Sequence, residues 1–374
     1  MGRSRVGTDV MTSFVRRVED YAERVLRPSA LRTERDGVDA VRIGELRELG
    51  LLRHQALDRD DERRLHEIIS GACFNTWLVW AQHAPLTGRL ADADRAGRPL
   101  PVLARKALAG EILLGAGISD VRGYPRRFVS ATRVDGGWIL SGTISWVSGW
   151  GLSEALTVAG VDPATETVVT ALVEVGDRTR RAEPLRLAVL DGSHTERVHL
   201  NDVHVPDESV IGRKTLEQTR FDDLAIASDA RGHHFGLAGT VLRELDQHPD
   251  PLARSVATAW RPRVAAIRKT AYGLADEAAA NGGGTYRLEE RLATKVASGE
   301  ALAALTRALV AARAGRGLAG DDTAQLHARS ALFILVQGQS TDVRRAQLTH
   351  LAGLAASAAP VTHPGSSTGE AASC

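Results

Sequence analysis

The sequence predicts an α+β protein with an N-terminal helical domain, a middle antiparallel β-barrel and a C-terminal helical bundle. Apolar residues recur with the period of a helix in the first third of the chain, alternate with a period of two in the middle, and then return to the helical period. The 374 residues suffice for two or three domains that each bury a core. Helices, then strands, then helices is the order of an α+β fold.

Residues 13–112 carry the pattern of the N-terminal helical domain. The first helix places apolar side chains on one face, at Phe14, Val18, Tyr21 and Val25. We expect Pro28 to end this helix, and a second helix to start at a cap formed by Asp36 or Asp39. Residues 62–84 are typical of a longer, largely buried helix.

Residues 113–212 carry the pattern of strands. A hairpin is predicted where the strand 128–134 meets the turn 135–137, Asp-Gly-Gly, before a second strand begins at Trp138. Further strands, which alternate or are rich in β-branched residues, are predicted at 156–161, 167–175, 185–190 and 197–204. Their spacing is typical of an antiparallel barrel or sandwich.

Residues 213–353 return to the helical period and predict a four-helix bundle. Its helices are expected at 221–245, 251–281, 286–314 and 323–336. Residues 293–314 are rich in Ala and Leu around most of the helix circumference, which predicts self-association through the bundle. Residues 354–374, rich in Ala, Ser, Pro and Gly, are expected to form a disordered tail.

Composition argues against several classes of partner. Lys and Arg number 47 against 46 Asp and Glu, so the net charge of +1 indicates neither a nucleic-acid partner nor an anionic membrane surface. The two cysteines, Cys73 and Cys374, predict neither a disulfide framework nor a thiolate metal site. The chain shows no signal-peptide pattern and no apolar run of ~18 residues, so we expect a cytoplasmic protein.

Three motifs resemble the acyl-CoA dehydrogenase superfamily. They are residues 116–121 (AGISDV), 142–148 (GTISWVS) and 203–206 (VHVP), and the resemblance extends over about residues 13–346. It implies the same order of helical domain, barrel and helical bundle, a flavin between barrel and bundle, and a homodimer or homotetramer. The cofactor implied is FAD, with FMN left open, and the substrate is a small molecule or an acyl thioester, free or bound to a carrier protein.

The family motif Gly-x-Lys-x-Trp-Ile-Thr is matched here by Gly142, Trp146 and Ser148, with Val147 in place of Ile. The resemblance therefore implies that Trp146, Val147 and Ser148 bind the cofactor. A flat indole can cover one face of a flavin ring, and a hydroxyl with nearby backbone N–H groups can meet the ring atoms that gain charge on reduction. The alternative is that Trp146 is a core aromatic residue and Ser148 only a turn residue.

Ser119 and Asp120 match the family sequence Gly-Ser-Asp, in which the serine lies near the substrate thioester. Ser119 is therefore the candidate substrate-binding residue, with a cap or turn as the alternative. His83, at the end of a predicted apolar helix, is a second candidate catalytic residue because related flavin monooxygenases often have a histidine in the cleft. A buried core histidine is the alternative, and no metal site is expected.

The sequence also departs from the family. Leu113 stands where the family has a hydroxyl residue on the flavin, no Arg-x-x-x-Phe motif follows Asp246, and residues 337–339 (Gln-Gly-Gln) lie at the end of the bundle in place of a Glu-Gly-Thr segment. That segment carries or adjoins the catalytic base in many members. Other members place the base at the start of the first bundle helix, where this chain has three acids, Asp222, Asp223 and Asp229. Asp229 is the candidate base, and a solvated helix face is the alternative.

These observations leave three functions open. The first is α,β-dehydrogenation of an acyl thioester or related small molecule by an FAD-dependent enzyme. The second is a two-component flavin monooxygenase, which the missing glutamate favours because hydroxylation needs no such base. The third is a flavin-free acyl-binding or assembly protein with the same fold, since fold alone does not decide function.

Overall fold

Helices, strands and helices follow one another along the chain in the predicted order. The computed structural model describes residues 5–177, 179 and 181–357. The first helices are α1 (Arg5–Tyr21), α2 (Arg27–Asp36), α3 (Ala40–Glu48), α4 (Arg59–Ala72), α5 (Phe74–Arg95) and α6 (Val102–Ala109). The last helices are α7 (Leu216–Ala227), α8 (Gly232–Asp246), α9 (Pro251–Ala280), α10 (Leu288–Arg313), α11 (Thr323–Val336) and α12 (Thr341–Ser357).

The N-terminal helices bury the face that the sequence predicts. Phe14 and Val18 are almost fully buried, and the side chain of Asp39 caps α3 by accepting a hydrogen bond from the Arg42 N–H at 2.8 Å. Pro28 does not end the first helix. The chain continues in a helical conformation through a π-helical turn, Ala22–Leu26, into α2, whose second residue is Pro28.

The middle of the chain forms one mixed, open sheet. Its strands are β1 (Leu114–Gly117), β2 (Ser130–Val134), β3 (Gly137–Val147), β4 (Ala155–Asp162), β5 (Thr167–Glu174), β6 (Ala182–Pro184), β7 (Glu196–Pro206) and β8 (Val210–Thr215). The order is β6-β7-β3-β2-β4-β5-β8, and β1 pairs with β4. The predicted hairpin is confirmed, because Val134 pairs with Gly137 across the β2–β3 turn.

The α+β class is confirmed, but the prediction of a closed antiparallel barrel is wrong. The strands β6 and β8 lie at opposite ends of the sheet, and within the described residues no ladder joins them. Two pairings, β1 with β4 and β2 with β4, are parallel. The strand β6 has only three residues, and all of them pair with β7. Such a short edge strand offers little backbone for a further strand to pair with, so the sheet stays open there.

The C-terminal helices differ from the prediction: the single helix expected at 221–245 is two helices, α7 and α8, separated by residues 228–231. The helix α12 continues to Ser357, so residues 354–357 are helical, while residues 358–374 of the predicted tail lie outside the described part. The helix α10 packs against α8, α9, α11 and α12 of its own chain, which covers its apolar surface. Self-association therefore stays a prediction and now depends on apolar side chains exposed on α11 and α12, namely Leu332, Val336, Leu348 and Leu351. Among the residues described, no helix is long and apolar enough to cross a membrane.

The helices α4 and α8 touch backbone to backbone. A Cβ atom at Gly236 of α8 would lie 2.3 Å from the carbonyl oxygen of Glu67, and one at Gly71 of α4 would lie 2.7 Å from the carbonyl oxygen of Gly236. Both distances are shorter than any real contact of a Cβ atom. The glycines therefore allow the N-terminal helices to meet the C-terminal helices at this crossing.

We predict that Gly236→Ala destabilises the protein by about 1–3 kcal/mol, because the added methyl group forces the two backbones apart. The matched control is Gly239→Ala on the same helix, where a Cβ atom meets nothing within 4 Å. That control is expected to be neutral or to stabilise by up to about 1 kcal/mol, since alanine favours helix over glycine. Urea unfolding measures both, and equal effects of the two substitutions would contradict the prediction.

Candidate functional site

The end of β3 exposes one aromatic side chain and buries its neighbours. Trp146 is 45% exposed, whereas Val147 is fully buried and Ser148 is 8% exposed. Successive side chains of a strand point to opposite faces, so Val147 packs in the core of the sheet while Trp146 points outward. Val147 therefore offers a ligand its backbone at most, and the exposed indole of Trp146 offers a flat apolar wall.

The hydroxyl group of Ser148 belongs to a chain of buried hydroxyls. Ser148 Oγ lies 2.8 Å from Thr195 Oγ1, which lies 2.8 Å from Ser193 Oγ. Ser193 must donate to the carbonyl oxygen of Leu190 at 2.6 Å, because a carbonyl only accepts. Thr195 then donates to Ser193, and Ser148 donates to Thr195. The hydroxyl proton of Ser148 is thus used in a hydrogen bond within the protein, whereas its oxygen can still accept one.

Asp120 holds the Ser119 turn against β3. Its buried carboxylate accepts hydrogen bonds from the Ser145 N–H at 2.7 Å and from Ser145 Oγ at 2.6 Å. Ser119, half-buried, begins the 3-10 turn Ser119–Gly123 that contains Asp120. Since Ser145 directly precedes Trp146, the structure brings the Ser119 turn to the end of β3. Local sequence does not predict this bond, although the motifs contain both the acid beside Ser119 and the serine beside Trp146.

His83 lies in the core and not on an open cleft. Its ring is fully buried, Nε2 lies 2.7 Å from the Leu52 carbonyl oxygen, and Nδ1 accepts from the Leu114 N–H at 3.0 Å. The Leu114 bond makes Nδ1 the acceptor, so Nε2 carries the proton and donates to Leu52. The structure therefore shows the buried core histidine that the sequence left open as the alternative, and these bonds tie α5 to the loop before α4 and to β1. Burial lowers the pKa of His83 to about 4.

Each of the three candidate acids pairs with a basic side chain from another element. Asp222 accepts from Lys214 Nζ at 2.5 Å, and Asp223 accepts from Arg122 at 2.6 and 2.7 Å. Asp229, in the loop between α7 and α8, accepts from Nε of Arg291 at 2.7 Å. Arg291 is 1% exposed and also donates to the carbonyl oxygens of Gly284 and Ala225. The Asp229 carboxylate is therefore part of a buried ion pair.

The end of β3 fits a planar aromatic ligand in two respects. Trp146 presents an uncovered apolar face, and the buried Ser148 Oγ beyond it keeps a lone pair that is not used within the described residues. Position 113 offers no hydroxyl because it is a leucine; the Leu113 side chain is buried in the core, and its N–H donates to Glu154 at 2.7 Å. The residues present thus fit a flavin ring through apolar cover and acceptance of a hydrogen bond. Among the described residues, no group of three or more His, Cys, Asp or Glu side chains could hold a metal ion.

Solved structures share this fold. No protein-family model and no curated protein matches the sequence. The butyryl-CoA dehydrogenase of Megasphaera elsdenii is 15% identical over 94% of this chain and 100% of its own, with a TM-score of 0.75. The FAD complex of PigA is 13% identical over 95% and 99%, with a TM-score of 0.74. The prolyl acyl carrier protein oxidase AnaB is 12% identical over 92% and 98%, with a TM-score of 0.74.

These likenesses cover nearly the whole chain and nearly the whole of each solved structure. The chain therefore has the fold of the acyl-CoA dehydrogenases, and the resemblance in its sequence is confirmed at the level of the fold. At 12–15% identity, the comparison of folds does not extend to activity or site residues.

Buried histidines make the stability of this fold sensitive to acid. Besides His83, burial lowers the pKa of His66 to about 3 and that of His233 and His234 well below the usual 6.5. The unfolded chain takes up protons as the pH falls below 6.5, whereas the folded chain does not until the pH approaches the lowered values. The contribution of these neutral histidines to the free energy of unfolding is therefore fully present above pH 6.5 and decreases as the pH falls below it.

We predict that the free energy of unfolding falls between about pH 7.5 and about pH 5.5, with His83 alone accounting for about 1 kcal/mol. Urea unfolding at both pH values measures this. The His83→Gln variant should lose its share of the pH dependence, whereas His350→Gln, at an exposed position of α12, should keep all of it. The same stability at both pH values would contradict the prediction.

Proposed function

We propose that the protein is a flavin-dependent oxidoreductase that acts on an acyl thioester or a related small molecule. The observation that carries this proposal is the exposed indole of Trp146, held beside the Ser119 turn by the bonds between Asp120 and Ser145. An aromatic residue left uncovered at the end of an otherwise buried strand is suited to cover a flat ligand. The fold supports the proposal, because solved structures with this fold include an FAD complex.

In this proposal the residues of the chain bind and orient the flavin and the substrate. Trp146 covers one face of the ring and excludes water from it, and Ser148 Oγ accepts a hydrogen bond from a ring N–H. Ser119 lies near the substrate carbonyl, within reach of the same strand end. A bound flavin, FAD or FMN, supplies the acceptor for the hydride that leaves the β-carbon in a dehydrogenation.

The substrate carrier is part of the proposal. Of the solved structures that share the fold, one is a butyryl-CoA dehydrogenase and another a prolyl acyl carrier protein oxidase. The thioester of this protein's substrate would accordingly be held by coenzyme A or by a carrier protein. A homodimer or homotetramer, implied by the sequence resemblance, stays a prediction.

A dehydrogenation also needs a base for the α-proton, and Asp229 is the proposed one. Its ion pair with Arg291 keeps the carboxylate in place in the loop before α8, but occupies Oδ1. Proton removal would thus fall to the other carboxylate oxygen. A proposed role for His83 would require the ring to give up two backbone hydrogen bonds.

A flavin monooxygenase is the second candidate, and a specific observation favours it. All three acids at the start of the bundle are paired with Lys214, Arg122 or Arg291. A hydroxylation that uses O₂ and reduced flavin from a separate reductase needs no carboxylate to remove an α-proton. This candidate keeps the same roles for Trp146 and Ser148.

We predict that Trp146→Ala weakens flavin retention, because the substitution removes the apolar cover of the ring. The measurement is the flavin absorption of the purified protein near about 370 and 450 nm. The control is Trp260→Ala on α9, a substitution of the same size away from β3. Colourless wild-type protein that gains no absorption when incubated with FAD or FMN would contradict the proposal and favour a flavin-free acyl-binding protein.

We predict that Asp229→Asn lowers substrate-dependent flavin reduction in the absence of oxygen by ~10²–10⁴-fold, the usual effect of losing a general base. A panel of acyl-CoA thioesters serves as substrate, and flavin content is measured alongside. The control is Asp222→Asn, which removes an exposed acid of α7. Wild-type protein that is not reduced by any thioester, but consumes O₂ when reduced flavin is supplied, would contradict dehydrogenation and favour the monooxygenase.

A further inference from the structure

A group of buried hydrogen-bond donors surrounds the loop 228–231 between α7 and α8. We call Ser228, His234 and Lys295 the donor cluster; they are 0%, 2% and 7% exposed. Arg231, an exposed residue, lies in the same loop. The functions proposed above use none of these four residues.

His234 carries an unpartnered donor. Its Nδ1 accepts a hydrogen bond from the Arg231 N–H at 3.2 Å, so the proton of the neutral ring is on Nε2. That Nε2 is buried and has no hydrogen-bond partner among the residues that the structure describes. Burial, followed by the charge of Lys295, lowers the pKa of His234 and keeps the ring neutral. The N–H at Nε2 therefore needs an acceptor from elsewhere.

Ser228, in the same loop, and Lys295, which bonds to the residue before it, add further donors. Ser228 Oγ is buried without a partner in the described chain. Lys295 Nζ donates to the Ala227 carbonyl oxygen at 2.6 Å, which leaves two of its three N–H groups. Burial, followed by the neighbouring charge of Arg231, lowers the pKa of Lys295 to about 8, while the charge of Asp229 opposes the shift. Within the described part of the chain, no carboxylate lies within 4 Å of Nζ, because Asp229 is paired with Arg291.

The cluster thus has an excess of donors and of positive charge. Four donor hydrogens lack a described acceptor: two on Lys295, one on His234 and one on Ser228. Burying donors without acceptors is costly, and so is burying a cation without a counter-ion. A carboxylate is acceptor-only, carries the missing charge and offers about four lone-pair sites. A water molecule would satisfy donors but would leave the charge uncompensated.

We infer that the donor cluster binds a carboxylate of the substrate, so that the substrate is an acyl compound with a second, acidic group. This inference rests on the proposed function for the identity of the rest of the substrate. The Ser119 turn is tied to α7, the helix that leads into the loop 228–231, because Arg122 of that turn forms two bonds with Asp223 of α7. A thioester at Ser119 and a distal carboxylate at Lys295 would therefore belong to one ligand.

Isothermal titration calorimetry of the full-length protein tests this with glutarate as the probe. Glutaramide, the uncharged diamide, and inorganic phosphate are titrated in parallel. We expect glutarate to bind more tightly than either. Lys295→Met, which keeps the length of the side chain and removes the charge, is expected to weaken glutarate binding by about 10- to 100-fold. Lys269→Met, at an exposed position of α9, should leave binding unchanged.

Three results would overturn the inference: no glutarate binding by the wild-type protein, equal binding of glutaramide, or unchanged binding by Lys295→Met. Tighter binding of phosphate would overturn the choice of a carboxylate. Where Lys295→Met fails to fold, Ser228→Ala removes a single donor and must still weaken binding. Flavin absorption of the same samples separates the two proposals. A colourless protein that binds glutarate supports the carboxylate site alone. A flavoprotein that does not bind glutarate supports the proposed function alone.

Discussion

The close contact between α4 and α8 determines how the two helical parts of this protein meet. Gly71 and Gly236 let the two backbones approach to a distance that no Cβ atom would allow. The loop that carries Asp229 and Arg231 leads directly into α8, so its position relative to α4 follows from this crossing. The meeting of the two helical parts thus depends on an interaction that involves no side chain at all.

A second constraint links the sheet to the helices. The Asp120 carboxylate satisfies both the N–H and the hydroxyl of Ser145, and in doing so holds the Ser119 turn at the end of β3. The same turn reaches α7 through Arg122 and Asp223. One short segment therefore contacts the strand that exposes Trp146 and the helix that precedes Asp229. The proposed cofactor and substrate positions share this support, and neither is carried by a free loop.

Two buried cations of α10, Arg291 and Lys295, differ in how their positive charge is compensated. Arg291 is paired with Asp229 and donates to backbone carbonyl oxygens, so its charge and donors are satisfied. Lys295, four residues later on the same face, has one carbonyl oxygen and no carboxylate within the described residues. Burial of an amine in this state favours its neutral form, which is the reason for its lowered pKa. Lys295, unlike Arg291, therefore keeps N–H groups and a charge that a bound ligand can meet.

Hydrophobic periodicity by itself determined the order of helices and strands, the β2–β3 hairpin and the buried face of α1, because these are local consequences of side-chain spacing and turn chemistry. The motif around Trp146 also identified the strand end that exposes an aromatic ring. Other features depend on contacts between residues far apart in the chain. Only the tertiary structure decided that the sheet is open, that His83 is bonded to Leu52 and Leu114, and that Asp229 is paired with Arg291. The physical reason is that the burial and partners of a polar side chain are set by segments that meet only when the chain folds, and no local pattern specifies them.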